Sequence, residues 1–158
     1  MLSIPGFRGY KLKEQRREAD RIVRDYVYKL LAQARDDLSR CFQLLNDARV
    51  TEILETTNQL IARLDRVAEK INRAAYGYSA YFDSVRIDTQ QLDQMLQYDT
   101  QLTDMARKLT DMISSFKMSL TENKSEDARN RELLISNSLT ELENVFDKRK
   151  LVIEGVTI

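Results

Sequence analysis

Apolar residues recur at alternating steps of three and four along three long stretches of this chain, and almost nothing between them would stop a helix. The clearest stretch reads Leu54, Thr57, Ile61, Leu64, Ala68, Ile71, Ala75 and Tyr78, widened by Ile53, Leu60, Val67 and Ala74. That spacing lays one apolar stripe along an α-helix and returns every seven residues. The single proline, Pro5, and the four glycines, Gly6, Gly9, Gly77 and Gly155, lie outside the periodic stretches or at their ends. A chain spent this way on helix packing leaves few residues for chemistry.

With 158 residues and no shift in composition, one domain with a sizeable core is expected. A first helix over 11–46 carries Ala19, Val23, Tyr26, Leu30, Ala34, Leu38, Cys41 and Leu45, with Ile22, Val27, Leu31 and Phe42 on its flanks. Its run of fours from Tyr26 to Leu38 is slower than a strict heptad and predicts local straightening. The acid-then-base pairs Asp20 with Arg24, Asp25 with Lys29 and Asp36 with Arg40 read as support for its wet face. The stripe then loses phase over residues 46–50, which reads as a tight turn, with a kink as the alternative. A continuous helix from 11 to 82 would be on the order of 105 Å long.

The second helix is expected over 51–82, weakened at its end by Gly77. The third, over 88–121, has the best-written start: Asp88 can cap, Gln91 completes a capping box and Ile87 can staple onto Leu92. Its seam runs Leu92, Met95, Asp99, Leu102, Ala106, Leu109, Ile113, Phe116, Leu120, so an aspartate falls where the rhythm demands core. A buried Asp99 should meet a base or hydroxyl from a facing helix and set register. The fourth helix, over 126–153, carries Ile135, Leu139, Leu142, Phe146 and Ile153, with Leu134 and Val145 alongside. Four such helices joined by short polar connections predict an all-α, antiparallel up-down four-helix bundle with coiled-coil-like heptad seams. An elongated helical hairpin completed by dimerisation is the alternative. Residues 1–10 are expected as an irregular arm and 154–158 as a short tail.

The chain has no histidine, which removes Ser-His-Asp and Cys-His triads and the Glu-x-x-His sets of di-iron bundles. Cys41 alone cannot build a zinc site or close a disulfide, and reads as a small buried hydrophobe. No glycine-rich phosphate loop or dinucleotide fingerprint occurs. No metal, cofactor or catalytic residue is therefore assigned, and no enzymatic activity is expected. One carboxylate pattern stands apart: Glu52 and Glu55, followed by Glu69 and Asn72, loosely resembles the Glu-x-x-Glu plus Glu-x-x-Asp sets of all-α nucleotide pyrophosphohydrolases. That resemblance implies magnesium-dependent hydrolysis as a remote alternative. On one continuous helix, however, the two pairs lie about 20 Å apart and cannot share an ion.

Lysines and arginines number 25 and balance 25 acids, which argues against nucleic acid as a partner. Charge is uneven only at the amino end, where residues 1–24 carry seven bases and three acids. There Leu2, Ile4, Phe7 and Tyr10, with Arg8 among them, are followed by Lys11, Lys13, Arg16 and Arg17. An apolar arm followed by bases suits a protein partner's acidic groove or an anionic membrane surface. The aromatic cluster Tyr76, Tyr78, Tyr81 and Phe82 is a second partner-binding candidate. At the other end, Leu151 to Ile158 is β-capable after the basic trio Lys148, Arg149, Lys150. Nothing resembles a signal peptide or a membrane span, so a reducing cytoplasm is the default. The expectation is a non-enzymatic scaffold or adaptor that binds a protein and self-associates, with a peripheral membrane role through residues 2–17 as the alternative.

Overall fold

A computed structural model describes the backbone of residues 7–84 and 89–153 and the side chains of 18–74 and 93–152. Four long helices account for nearly all of it: α1 (Phe7–Asp47), α2 (Leu54–Ser84), α3 (Thr89–Thr121) and α4 (Ala128–Ile153). A single 3-10 turn, Thr51–Ile53, leads into α2.

Side-chain bonds between helices fix their directions. Arg24 and Arg35 of α1 meet Asn72 and Asp65 of α2, so these helices run antiparallel. Tyr26 and Asp37 of α1 meet Arg107 and Lys117 of α3, so α1 and α3 run parallel. Ser115 and Asp99 of α3 meet Arg131 and Arg149 of α4, which is antiparallel again. The result is an up-down-up-down bundle. Its α1–α2, α1–α3 and α3–α4 sides are packed along their length, while α2 and α4 touch far less.

The buried positions follow a stricter heptad than the apolar letters suggest. On α1 they are Asp20, Arg24, Val27, Leu31, Ala34, Leu38, Cys41 and Leu45. The expected slow run of fours is therefore corrected: the seam steps four and three throughout, and Ile22 and Tyr26 are exposed. Asp20 and Arg24 occupy the core rather than the wet face assigned to them. On that wet face, Arg40 donates to Gln43 instead of pairing with Asp36. The α3 seam from Met95 to Leu120 is buried at every step, Asp99 included. On α4 the seam is Ala128, Glu132, Ile135, Leu139, Leu142, Phe146 and Arg149, so the middle residue of the basic trio lies in the core. Each fully buried Leu, Ile or Phe contributes about 1.5–3 kcal/mol, and one continuous apolar cluster joins all four helices.

Helix α1 begins by Phe7, so residues 7–10 are helical and not irregular as expected. A glycine inside a helix costs about 1 kcal/mol but does not end it, and Gly9 is carried through. The same holds for Gly77, since α2 continues to Ser84. The capping residues proposed for α3, Ile87 and Asp88, lie outside the described residues.

The turn expected at 46–50 is present and has a specific form. Arg49 is left-handed at φ 58°, its N–H bonds to the Asn46 carbonyl at 3.0 Å, and the Val50 N–H reaches back to Leu45 at 2.9 Å. These two bonds make a Schellman cap, with Val50 packed on the core. Asn123, at φ 61°, ends α3 the same way through bonds to Leu120 and Ser119. A left-handed arginine costs on the order of 1 kcal/mol that glycine does not incur. Arg49→Gly should therefore raise stability by about 0.5–1 kcal/mol in urea unfolding, and Asn123→Gly by less, because asparagine already tolerates this conformation.

Candidate functional site

The partner-binding residues read from the sequence fall mostly beyond what can be described. Leu2 and Ile4 lie outside the described residues. Phe7, Arg8, Tyr10, Lys11, Lys13, Arg16 and Arg17 lie on the first turns of α1, and their side chains are likewise outside the described set. Tyr76, Tyr78, Tyr81 and Phe82 belong to α2 on the same terms.

Two polar groups sit inside the described core. The first joins three helices. Arg149 of α4 is 0% exposed; its Nε donates to Asp99 of α3 and its Nη2 to Asp20 of α1. Asp20 also accepts from Arg24 Nε at 2.8 Å, and Arg24 Nη1 reaches the Asn72 carbonyl of α2 at 3.4 Å. Two arginines and two aspartates make the cluster neutral. Burial pushes the Asp99 carboxyl above its ordinary range against the downward pull of Arg149. Burial disfavours charge on Arg149, but Asp20 and Asp99 outweigh it and hold the guanidinium protonated. Arg149 Nη1 has no hydrogen-bond partner.

The second group lies on the loosely packed side. Glu132 of α4, 6% exposed, is bonded to the hydroxyls of Thr56 and Thr57 of α2, and both hydroxyls also approach the Ile53 carbonyl. Burial raises its carboxyl above the usual range, with the two threonine bonds working against that. It forms the floor of a groove of about 540 Å³ between α2 and α4, walled by Ile53, Leu60 and Leu133 and rimmed by Arg63 and Arg129.

A second groove of about 540 Å³ runs along the other flank of α4, against α3, and is lined by Met112, Ile135 and Leu134 among charged side chains. Leu133 and Leu134 thus stand side by side on the outer face of α4, 58% and 50% exposed, with a groove on each flank. Met118 on α3 is also exposed. The sequence reading placed Leu134 beside the core and passed over Leu133. Extending the heptad from Ala128 through Glu132 would have put both leucines outside.

The chemistry these residues can perform is narrow. The Cys41 thiol is buried and pushed up to about 12, chiefly by burial, which leaves it an inert thiol at neutral pH. Among the described residues no group of three or more acidic, cysteine or histidine side chains could hold a metal. In the carboxylate pattern, Glu55 and Asn72 are exposed, while Glu69 accepts from Tyr28 and pairs with Arg73 at 3.4 Å. Glu52 lies in the 3-10 turn before α2, and from Glu55 to Glu69 the continuous helix spans about 20 Å. No described helix is long and apolar enough to cross a membrane. No family model, curated protein or solved structure matches the chain.

Proposed function

We propose that this chain is a non-enzymatic helical scaffold or adaptor module that binds a partner protein and self-associates. The observation that carries this reading is the adjacent pair Leu133 and Leu134, exposed on α4 between two grooves. Large apolar side chains beside concave, partly apolar surface are the ingredients of an interface centre. The patch carries both protruding side chains and grooves, which is what a two-fold contact between copies needs. A rigid four-helix core holds that geometry without a partner's help. The basic amino-terminal segment around Arg8, Lys11 and Lys13 is a second contact in this proposal, and a reducing, cytoplasmic setting accords with the one buried thiol.

The test is sedimentation of the purified chain beside a Leu133→Glu/Leu134→Glu variant, combined with cross-linking mass spectrometry after affinity capture. Wild type should associate with concentration and give cross-links to one protein. The variant should keep its melting temperature and lose at least tenfold in affinity, which is about 1.4 kcal/mol. A wild-type monomer at every concentration, with no captured protein, overturns the proposal. Flotation with anionic liposomes, lost on removal of residues 1–13, would favour the membrane alternative instead.

A further inference from the structure

The contacts around Glu132 contain more short oxygen pairs than hydroxyl protons to fill them. Thr56 Oγ1 lies 2.9 Å from the Ile53 carbonyl and 2.9 Å from Glu132 Oε2. Thr57 Oγ1 lies 2.6 Å from the same carbonyl and within bonding distance of Glu132 Oε1. That makes four close contacts among two hydroxyls, one carbonyl and one carboxyl group. A carbonyl only accepts, and each threonine has one proton to give. An ionised Glu132 adds none, which leaves two contacts as lone pair against lone pair. A neutral carboxyl adds one: Oε1–H is donated to Thr57, Thr57 passes its own proton to the Ile53 carbonyl, and Thr56 serves Oε2, so that one contact, Thr56 to Ile53, is left without a proton instead of two.

The charges nearby do not favour the ionised form. From α2, Glu52 and Arg63 line the same groove, and Arg63 is spent on Ser136 and Thr140. On α4 itself, Arg129 is at the rim. From α1 comes the uncharged Cys41 thiol, with Asp37 held by Lys117 of α3 at 2.5 Å. Arg131 is turned toward Ser115 of α3. Among the described residues no cation lies within ion-pair distance of the Glu132 carboxyl. A carboxylate buried without a cation is costly, and taking up a proton is the usual relief.

We propose that the folded bundle carries Glu132 as a neutral carboxylic acid bonded to Thr57, and that losing this proton loosens the seam between α2 and α4. The seam is the weakest of the four sides, so a charge created on its floor acts where least packing opposes separation. The sign follows from linkage. A free glutamate releases its proton near pH 4.3, whereas the folded chain keeps it to higher pH. The contribution of this group is therefore complete below the unfolded value and is lost as pH rises through the folded one. Between the two midpoints the folding equilibrium weakens about tenfold per pH unit.

The test is a carboxyl 13C titration of the full chain labelled on glutamate, from pH 3 to 8, with Glu132→Gln identifying the resonance. The expected midpoint lies above those of exposed Glu55 and Glu141; a midpoint equal to or below theirs overturns the proposal. Glutamine imitates the neutral acid, so the stability gap between Glu132→Gln and wild type should widen with pH over the same window. Amide exchange, corrected for its intrinsic pH dependence, should rise at Thr57–Leu60 in wild type and not in the variant. Parallel stability curves, or equal exchange in the two proteins, would remove the link between this proton and the seam.

Discussion

Arg149→Met should lower stability by about 3–5 kcal/mol at neutral pH, the range for removing one member of a buried ion pair. The loss concentrates on Asp99. Asp20 retains Arg24 at 2.8 Å, but Asp99 has no other cation among its described partners. Its carboxyl, already raised by burial, loses the guanidinium that pulls it down and must either stay charged in the core or take a proton. The deficit should therefore shrink in acid, where Asp99 is neutral, and grow as pH climbs through its folded value. Asp99→Leu alone should also destabilise, because it takes from the buried Arg149 one of the two carboxylates that hold it. The double variant Asp99→Leu/Arg149→Met removes one whole pair and keeps the Asp20–Arg24 pair intact. It should unfold within about 1 kcal/mol of wild type, or above it, since apolar replacement of a buried pair is often neutral or favourable. Urea unfolding of the three variants at pH 5 and 7.5 checks the pattern, and a double variant as weak as Arg149→Met would contradict it.

That cluster also explains where the sequence could be read and where it could not. The α3 seam is apolar at every step but Asp99, so one aspartate could not hide the register. On α1 the neighbouring apolar set Ala19, Val23, Tyr26 and Leu30 competes with the true set Asp20, Arg24, Val27 and Leu31. Choosing by hydrophobicity selects the wrong one, because burying two charges is forbidding in isolation. It becomes affordable only through Arg149, 129 residues from Asp20, and no local pattern carries that distance. The same applies on α4, where Glu132 and Arg149 interrupt a seam that is otherwise regular. Leu133 and Leu134 illustrate the converse: apolar letters suggest burial, yet helix phase turns them outward. The turns were legible as breaks in phase, but not their Schellman form, since Arg49 is an unusual left-handed residue.

The uneven packing of the four sides predicts a large difference between two chemically identical truncations. Leu109 of α3 is fully enclosed, on the helix that packs along both α1 and α4. Leu60 of α2 is nearly as buried, yet it forms a wall of the α2–α4 groove. Leu109→Ala leaves a void that neither water nor a neighbouring backbone can fill, and the cost should lie near the upper end of the range, about 4–5 kcal/mol. Beside Leu60 the groove already admits solvent, and α2 and α4 have room to approach, so Leu60→Ala should cost about 2–3 kcal/mol. The transfer of the removed atoms is the same in both, so the difference measures how readily each side collapses. Paired urea unfolding of the two variants reads it directly. Equal losses would mean that the α2–α4 side is as rigid as the rest. A gap of about 1–3 kcal/mol would identify it as the side where the bundle yields first, next to the paired leucines and the buried carboxyl of Glu132.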